Sequence, residues 1–460
     1  MDCNIREIVN KKKCYIIMFL FLFIMSMVVH LIIDNTTEWW DAGQYWETGK
    51  SCRWSVKNIQ WGFRGWLLPY IFWLCYRFGM LFGHEFLGYQ IFSSVVFSFA
   101  FTFIFAHIAK MLKIKASDRK MAISGGICGI LFFVFFKGLF LYTLSDFYAL
   151  VLAFMSIVLT HWIVECPQKT GVKVLEAFLL GICLYGAYNI RTIYLFSLIT
   201  CWSVLIAWQL YYKRWKQFLM TASACYTGML VCAIPQYIMN YNLSGVYSWR
   251  VSTQGLMLYQ LQCGIGMERY ATFVGDRAQY GDAGMRFINN AGAVILDRAQ
   301  ITELTSYMQM AKLIFRYPLD FIGIYVRHFL NILYPIYPNQ YIYDIEKDKS
   351  FFLILFYTIL FLGATNFINS FQLKNSKWIW FVLILVPCVC ILPGAVEIRF
   401  FIAFYFLICM YAVLEIREFA ARFKDNKIKY VIIYFVGFLL YVAYAGILLS
   451  TTENGVATIN

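Results

Sequence analysis

The sequence predicts an all-α polytopic membrane protein, and three observations predict it. Of 460 residues, 61% are hydrophobic and 14% charged, whereas a soluble domain is nearer half apolar and a quarter charged. The mean hydropathy is +0.64. Apolar runs of about 20 residues, the length a bilayer's hydrocarbon core demands, recur along the chain. Soluble enzymes, disordered chains and secreted disulfide scaffolds are excluded, and so is the reading of this length as about three soluble domains.

Taken in order, the elements begin with Lys11, Lys12 and Lys13, which precede an apolar run from Cys14 to Ile33. That run is too long for a signal-peptide core and no small-x-small cleavage site follows it. It is expected to be an uncleaved first span with its N-terminal side in the cytoplasm. Ten further spans are expected near 87–109, 121–139, 147–165, 174–190, 192–212, 218–238, 351–369, 378–394, 400–416 and 431–449, about eleven in all. The segment 65–82 (GWLLPYIFWLCYRFGMLF) is expected to lie along the outer surface as an interfacial helix. Were it to cross, the loop carrying Lys110, Lys113, Lys115, Arg119 and Lys120 would lie outside, against the positive-inside rule.

Charge distribution supports this topology. The net charge is +14, and basic excess in a membrane protein belongs to cytoplasmic loops rather than to nucleic-acid binding. The segments assigned inside (1–14, 110–120, 166–173, 213–217, 370–377, 416–430) hold 21 of the 39 Lys and Arg in only 61 residues. The exterior then consists mainly of 34–86 and 239–350. The second holds a polar, Gly-rich stretch, a helical pattern from Leu296 to Phe315, and an interfacial pattern from Phe321 to Tyr334. The expected organisation is a core at 1–238 with a first outer loop at 34–86, an outer loop at 239–350, and C-terminal spans at 351–460. Of 14 cysteines, most sit in apolar runs as small hydrophobes, and no CxxC occurs. Cys52 and Cys263 fall on the same expected side, which allows a disulfide.

A transporter places ionisable groups near the middle of its spans, and here the spans are nearly clean. His30, His107 and His161 lie toward span ends and read as structural. The charges gather at the outer ends of helices: Asp34, Glu38, Asp41 and Glu47; Lys137 and Asp146; Arg191; Arg327 and His328; Glu397 and Arg399. The loops at Asp146 and Arg191 have almost no length, so these charges cannot drift into bulk water. Convergent charges at one interface suit an anionic, membrane-embedded substrate. Each residue also has a plainer role. Asp41 follows Trp39 and Trp40 and could cap a helix; Glu47 reads as a solvated face; Arg191 and Arg399 could snorkel to headgroups. Trp39, Trp40, Trp46, Trp61 and Trp66 read as an aromatic belt. Asp41 and Tyr45, four apart, share one helix face.

The pattern resembles the GT-C membrane glycosyltransferases, and within them the bacterial protein-O-mannosyltransferase-like group that includes the lipid A aminoarabinose transferases. The resemblance covers roughly the first 200 residues and one late motif. It matches a catalytic Asp of the first outer loop to Asp41 in WWDAGQYWETG, and a basic residue ahead of a helix ending in Leu-Phe-Gly to Arg64 in FRGWLLPYIFWLCYRFGMLFG. An acid opening the fourth span corresponds to Asp146 in TLSDFYAL, and an Arg near the outer end of the fifth to Arg191 in AYNIRTIYLF. A late acid-x-Arg-aromatic motif corresponds to EIRFF, Glu397 to Phe401.

The resemblance implies a GT-C-like fold and transfer of a sugar from a polyprenyl-phosphate donor to an acceptor hydroxyl. The acceptor would be a lipid, glycan or protein on the outer face of a bacterial plasma membrane. A phosphate leaving group needs no general acid, but it needs cations, which Arg64, Arg191, Arg327 or Arg399 could supply, with Glu397 beside them. Asp41 is the expected base, with Tyr45 orienting it or the acceptor. One base and one displacement invert the anomeric centre; a retaining route would need Asp146 as nucleophile. A divalent metal could bridge Asp41, Asp146 or His328 to the phosphate, although these form no recognisable metal signature. Neither GxGxxG nor a P-loop occurs, which disfavours a nucleotide-sugar or ATP-driven mechanism. The alternatives are a polysaccharide polymerase or ligase using a polyprenyl-pyrophosphate glycan, and a lipid-linked sugar flippase or transporter.

Overall fold

The computed structural model describes residues 2–33, 40–52, 64–251, 254–272, 284–334, 350–370 and 377–453. Asp34, Glu38, Trp39 and Trp61 lie outside the described residues. Nine described helices are long and apolar enough to cross a membrane: Lys13–Ile32, Leu87–Met111, Asp118–Phe136, Asp146–Glu165, Thr170–Ile190, Thr192–Tyr211, Trp215–Ser244, Phe351–Ser370 and Lys427–Leu448. A tenth is reached if Ile398–Leu414 and Ile416–Asp425, bent by 62° at their junction, form one span. The remaining expected span, near 378–394, is the short apolar helix Trp378–Ile391. Residues such as Ile432, Phe435 and Leu439 point their apolar side chains outward, an arrangement that water penalises and lipid does not. The chain is thus a predominantly helical, polytopic membrane protein.

The chain forms two compact units. The first comprises Met1–Phe133, Leu139–Ser252 and Phe371–Pro387, the second Val134–Gly138, Thr253–Ser370 and Cys388–Asn460.

In the first unit, α1 (Asp2–Ile32) is followed by α2 (Trp40–Ser51), α3 (Leu67–Met80) and α4 (Leu87–Phe99). A π-helical stretch, Ala100–Ile104, joins α4 to α5 (Phe105–Met111) as one span. Then come α6 (Asp118–Phe136), α7 (Gly138–Leu141), α8 (Asp146–Glu165), α9 (Thr170–Ile190), α10 (Leu195–Tyr211) and α11 (Trp215–Ser244). The 14 residues of α3 extend about 21 Å at 1.5 Å per residue, short of the ~30 Å hydrocarbon thickness.

Helices in lipid gain little from the hydrophobic effect, so their association relies on close packing and interhelical hydrogen bonds. α9 and α11 illustrate the first. A Cβ on Gly181 would lie 2.0 Å from Cys225 O, and one on Gly228 would lie 2.0 Å from Phe178 O. The two glycines let the backbones touch, and Ala at either would force the helices apart. Ser94 Oγ donating to Ser26 Oγ at 2.9 Å ties α4 to α1 in the second way. α2 is pinned to the segment between α3 and α4 by Trp46, whose ring stacks on Phe86 at 4.7 Å while its Nε1 donates to Glu85 at 2.9 Å.

In the second unit, α12 (Gln254–Gly266) leads into β1 (Met267–Thr272) and β2 (Gly284–Ile288). These are followed by α13 (Asn290–Arg298), α14 (Tyr307–Arg316), α15 (Pro318–Ile332), α16 (Ser350–Ser370) and α17 (Lys377–Ile391), which begins in the first unit. α18 (Ile402–Leu414), α19 (Ile416–Asp425), α20 (Lys427–Ser450) and β3 (Thr452–Glu453) complete the chain. The three strands form an antiparallel sheet in the order β1-β2-β3, an element not anticipated by the all-α expectation. The helical pattern expected from Leu296 to Phe315 resolves into α13 and α14 with a loop between them. Gln300 adopts a left-handed φ of 55° there, and Ser306 restarts the helix by accepting from the Gln309 amide. Leu258, Ile265, Ile295, Leu304, Met310, Leu313, Phe321 and Ile324 form a local core under α12–α15. The described part of the expected outer loop from 254 onward is therefore packed around its own core, whereas 239–251 belongs to the first unit. Cys52 and Cys263 are both free thiols in different units, so the disulfide allowed by their expected positions is not formed.

Candidate functional site

The first unit gathers five of the residues singled out from sequence. Asp41 opens α2 and Tyr45 lies one turn on; Arg64 precedes α3; Asp146 opens α8; Arg191 closes α9. An acid at the start of α8 and a base at the end of α9 each complement their own helix dipole. The two charges meet there, with Arg191 Nη1 2.7 Å from Asp146 Oδ2. Side-chain exposures of 12% and 3% make this a buried ion pair. Arg64 Nη2 stands 3.9 Å from Asp41 Oδ2, and the Arg64 guanidinium lies 5.7 Å from the Tyr45 ring centre.

Ser145 joins the two pairs. Its Oγ accepts from Tyr45 Oη at 2.9 Å and from Arg191 Nη1 at 3.1 Å. A serine immediately before a helix reads from sequence as a cap, yet its side chain makes no capping hydrogen bond to α8. Thr143 Oγ1 adds a bond to Ala42 O at 2.8 Å, so the turn before α8 holds α2 at two points, Thr143 on its backbone and Ser145 on Tyr45.

A further residue, Asn189, holds the backbone that follows Arg64. Its carbonyl accepts from Gly65 N at 3.2 Å and its Oδ1 from Leu67 N at 2.9 Å, clasping the backbone directly after Arg64. A Cβ at position 65 would fall 2.1 Å from Asn189 Oδ1, which is why glycine stands there. Asn189 Nδ2 then donates to Gln236 Oε1 at 2.8 Å, and Gln236 Nε2 to Asn240 Oδ1 at 2.9 Å. Ser145, Asn189 and this amide chain were missed from sequence, because a small polar residue at a span end carries no distinguishing pattern.

Beside this cluster, Lys50 Nζ bridges Glu47 at 2.6 Å and Glu85 at 3.1 Å. Partial burial raises the Glu85 pKa, but hydrogen bonds from Trp46 and Lys50 outweigh it and hold the carboxyl below its usual range. Glu47 is 68% exposed, which places it on a solvated face. Trp66 donates to Cys232 O at 3.1 Å, a packing contact in addition to any belt role.

The other candidates belong to the second unit. Glu397 and Arg399 pair with each other at 2.8 Å and 3.1 Å and are both buried. Arg327 pairs with Glu268 at 3.2 Å and donates to Asn289 Oδ1 at 3.2 Å. Arg269, missed from sequence, is fully buried and donates from Nη1 to the carbonyls of Asn331 and Tyr334 at the end of α15. Desolvation pulls its pKa down to about 10. Lys137 lies between α6 and α7, in the second unit.

His328 was a candidate metal ligand, and its surroundings do not fit that role. Nδ1 lies 2.6 Å from Leu392 O and Nε2 2.9 Å from Met267 O, so both ring nitrogens are occupied by backbone. Burial lowers its pKa despite the two carbonyls, which favour the charged ring. Asp41 and Asp146 each face a guanidinium. Among the described residues no three of His, Cys, Asp and Glu come together as a metal-binding group.

No known family model, curated protein or solved structure matches the chain.

Proposed function

We propose that the protein is an integral membrane glycosyltransferase of GT-C type, moving a sugar from a polyprenyl-phosphate donor to an acceptor hydroxyl at the outer membrane face. One observation carries the reading. Two acid–arginine pairs, Asp41–Arg64 and Asp146–Arg191, are joined through Tyr45 and Ser145 into a single polar cluster at helix ends.

The two acids stand in different environments, and this supports different roles for them. Asp146 is 3% exposed and held at 2.7 Å by Arg191; a carboxylate so committed makes a poor nucleophile, which speaks against the retaining route. Asp41 is 28% exposed, far more than Asp146, and this exposure supports its access to an acceptor. In the proposed reaction Asp41 takes the acceptor proton as the acceptor oxygen attacks the anomeric carbon. The bond from that carbon to the phosphate oxygen breaks, and polyprenyl phosphate leaves with the electron pair. The configuration inverts. Arg64, stacked over Tyr45, is placed to offset the charge developing on the departing phosphate, while the Asp146–Arg191 pair holds Ser145 and thereby Tyr45.

The test is consumption of polyprenyl-phosphate sugars by the purified protein with a hydroxyl acceptor present. Turnover by wild type that collapses in Asp41→Asn is expected; no consumption of any such donor would defeat the reading.

A further inference from the structure

The four arginines that sequence offers as phosphate ligands each face a carboxylate: Arg64 faces Asp41, Arg191 faces Asp146, Arg327 faces Glu268 and Arg399 faces Glu397. Arg64, at the longest of these contacts, is the one the proposed reaction already uses, and a further arginine faces no carboxylate among the described residues. Arg250 follows α11, is exposed, and its guanidinium makes no hydrogen bond or ion pair among the described residues. It lies 5.8 Å from the ring centre of Trp249, and Trp249 in turn rests on Tyr188 at 5.6 Å. A guanidinium backed by an aromatic face is held in orientation while its N–H edge remains free for an anion.

The loop carrying it is irregular yet tightly held. Asn240 Nδ2 donates to Ser248 O at 2.6 Å and to Arg250 O at 2.8 Å. Tyr185 Oη donates to Trp249 O at 2.7 Å, and Val251 N to Tyr188 Oη at 3.0 Å. Tyr188, Asn189 and Arg191 are near neighbours on the last turn of α9, within about 5 Å along its axis. One helix end thus grips the Arg250 loop, the backbone after Arg64, and the Asp146 pair. The amide chain Asn189–Gln236–Asn240 links the first two directly.

We propose that Arg250, backed by Trp249, is the receiving cation for a phosphate-type anion beside the charge cluster. This rests on the proposed function only in taking a polyprenyl phosphate as one source of that anion. A phospholipid headgroup and free phosphate share the chemistry.

Binding tests it without requiring turnover. Purified full-length protein in phosphatidylcholine nanodiscs is titrated with farnesyl phosphate, with phosphatidylglycerol and with inorganic phosphate, and affinity is read by native mass spectrometry and thermal shift. Arg250→Gln should weaken binding of the accepted probe roughly tenfold or more, as for loss of a charge-assisted contact. Arg250→Lys should fall between the two, lacking the planar stack. The ligand-free melting temperature should not move, because the side chain is exposed, and Arg77→Gln, an exposed arginine on α3, should leave affinity unchanged. Preference for one probe identifies the source. Wild-type affinity in Arg250→Gln for every probe, or an equal loss in Arg77→Gln, would overturn the proposal. Intact binding without sugar turnover would count against the transferase reading and leave this site standing. Turnover with an unaltered Arg250→Gln affinity would do the reverse.

Discussion

Removal of the Asp146 carboxylate should destabilise the first unit far more than a typical charge substitution. The pair with Arg191 is 2.7 Å long and nearly shielded from solvent, at 3% exposure for Asp146 and 12% for Arg191. Asp146→Asn leaves a buried guanidinium without its carboxylate while it still donates to Ser145 Oγ at 3.1 Å. Truncating one member of a buried pair costs about 3–5 kcal/mol, because the other charge stays buried and uncompensated. Arg191→Gln should cost a similar amount, for the mirror reason. The double variant Asp146→Asn/Arg191→Gln buries no charge, so it should be less destabilised than the sum of the singles by roughly 1.5–3 kcal/mol. Reversible unfolding in mixed detergent–SDS micelles, with all four proteins compared, measures the cycle. Single-variant losses under about 1 kcal/mol, or a coupling below about 0.5 kcal/mol, would refute a buried, mutually dependent pair.

Asp41→Asn should reduce donor turnover by about 10²–10⁴-fold at unchanged folding, the usual cost of a missing general base, while Glu47→Gln on the solvated face should cost far less. Steady-state rates for matched, folded samples check both. Asn189→Ala should increase hydrogen exchange at the Gly65 and Leu67 amides by loosening the segment after Arg64, whereas Asn189→Asp keeps an acceptor for Leu67 and should spare that amide while losing the donation to Gln236. Because the folded Glu85 carboxyl sits below its usual pKa, its contribution is present above the unfolded value of ~4.3 and disappears as pH falls through the folded value. The stability difference between wild type and Glu85→Gln should therefore shrink on acidification from about pH 6 to below pH 4, as followed by denaturation midpoints.

Hydropathy is a local property, and so the spans were legible without a fold: a run such as Phe351–Ser370 or Lys427–Leu448 must be helical in lipid because every backbone polar group has to be satisfied within the segment. The charged members of the cluster were legible for a related reason. A carboxylate or guanidinium at the end of an apolar run is expensive to place, so Asp41, Asp146 and Arg191 stand out against their surroundings. What sequence could not supply was pairing. That Asp146 meets Arg191, and that Ser145 accepts from both Tyr45 and Arg191, depends on side chains far apart in the chain arriving at one point. Asn189, Gln236 and Asn240 look like ordinary polar residues near span ends until α9 and α11 are pressed together at Gly181 and Gly228. The small sheet was hidden likewise, since β3 pairs with β2 from the far end of the chain and strand pairing leaves little signal in so short a segment. Tertiary structure also changed the meaning of residues already noticed. His328 looked like a ligand by type, but two backbone carbonyls occupy its nitrogens, and Arg191, Arg327 and Arg399 looked like available cations until each was found paired with an acid within 3.2 Å. Residue type sets what a side chain can do in isolation; which of those capacities remains available is decided by the partners that folding brings to it.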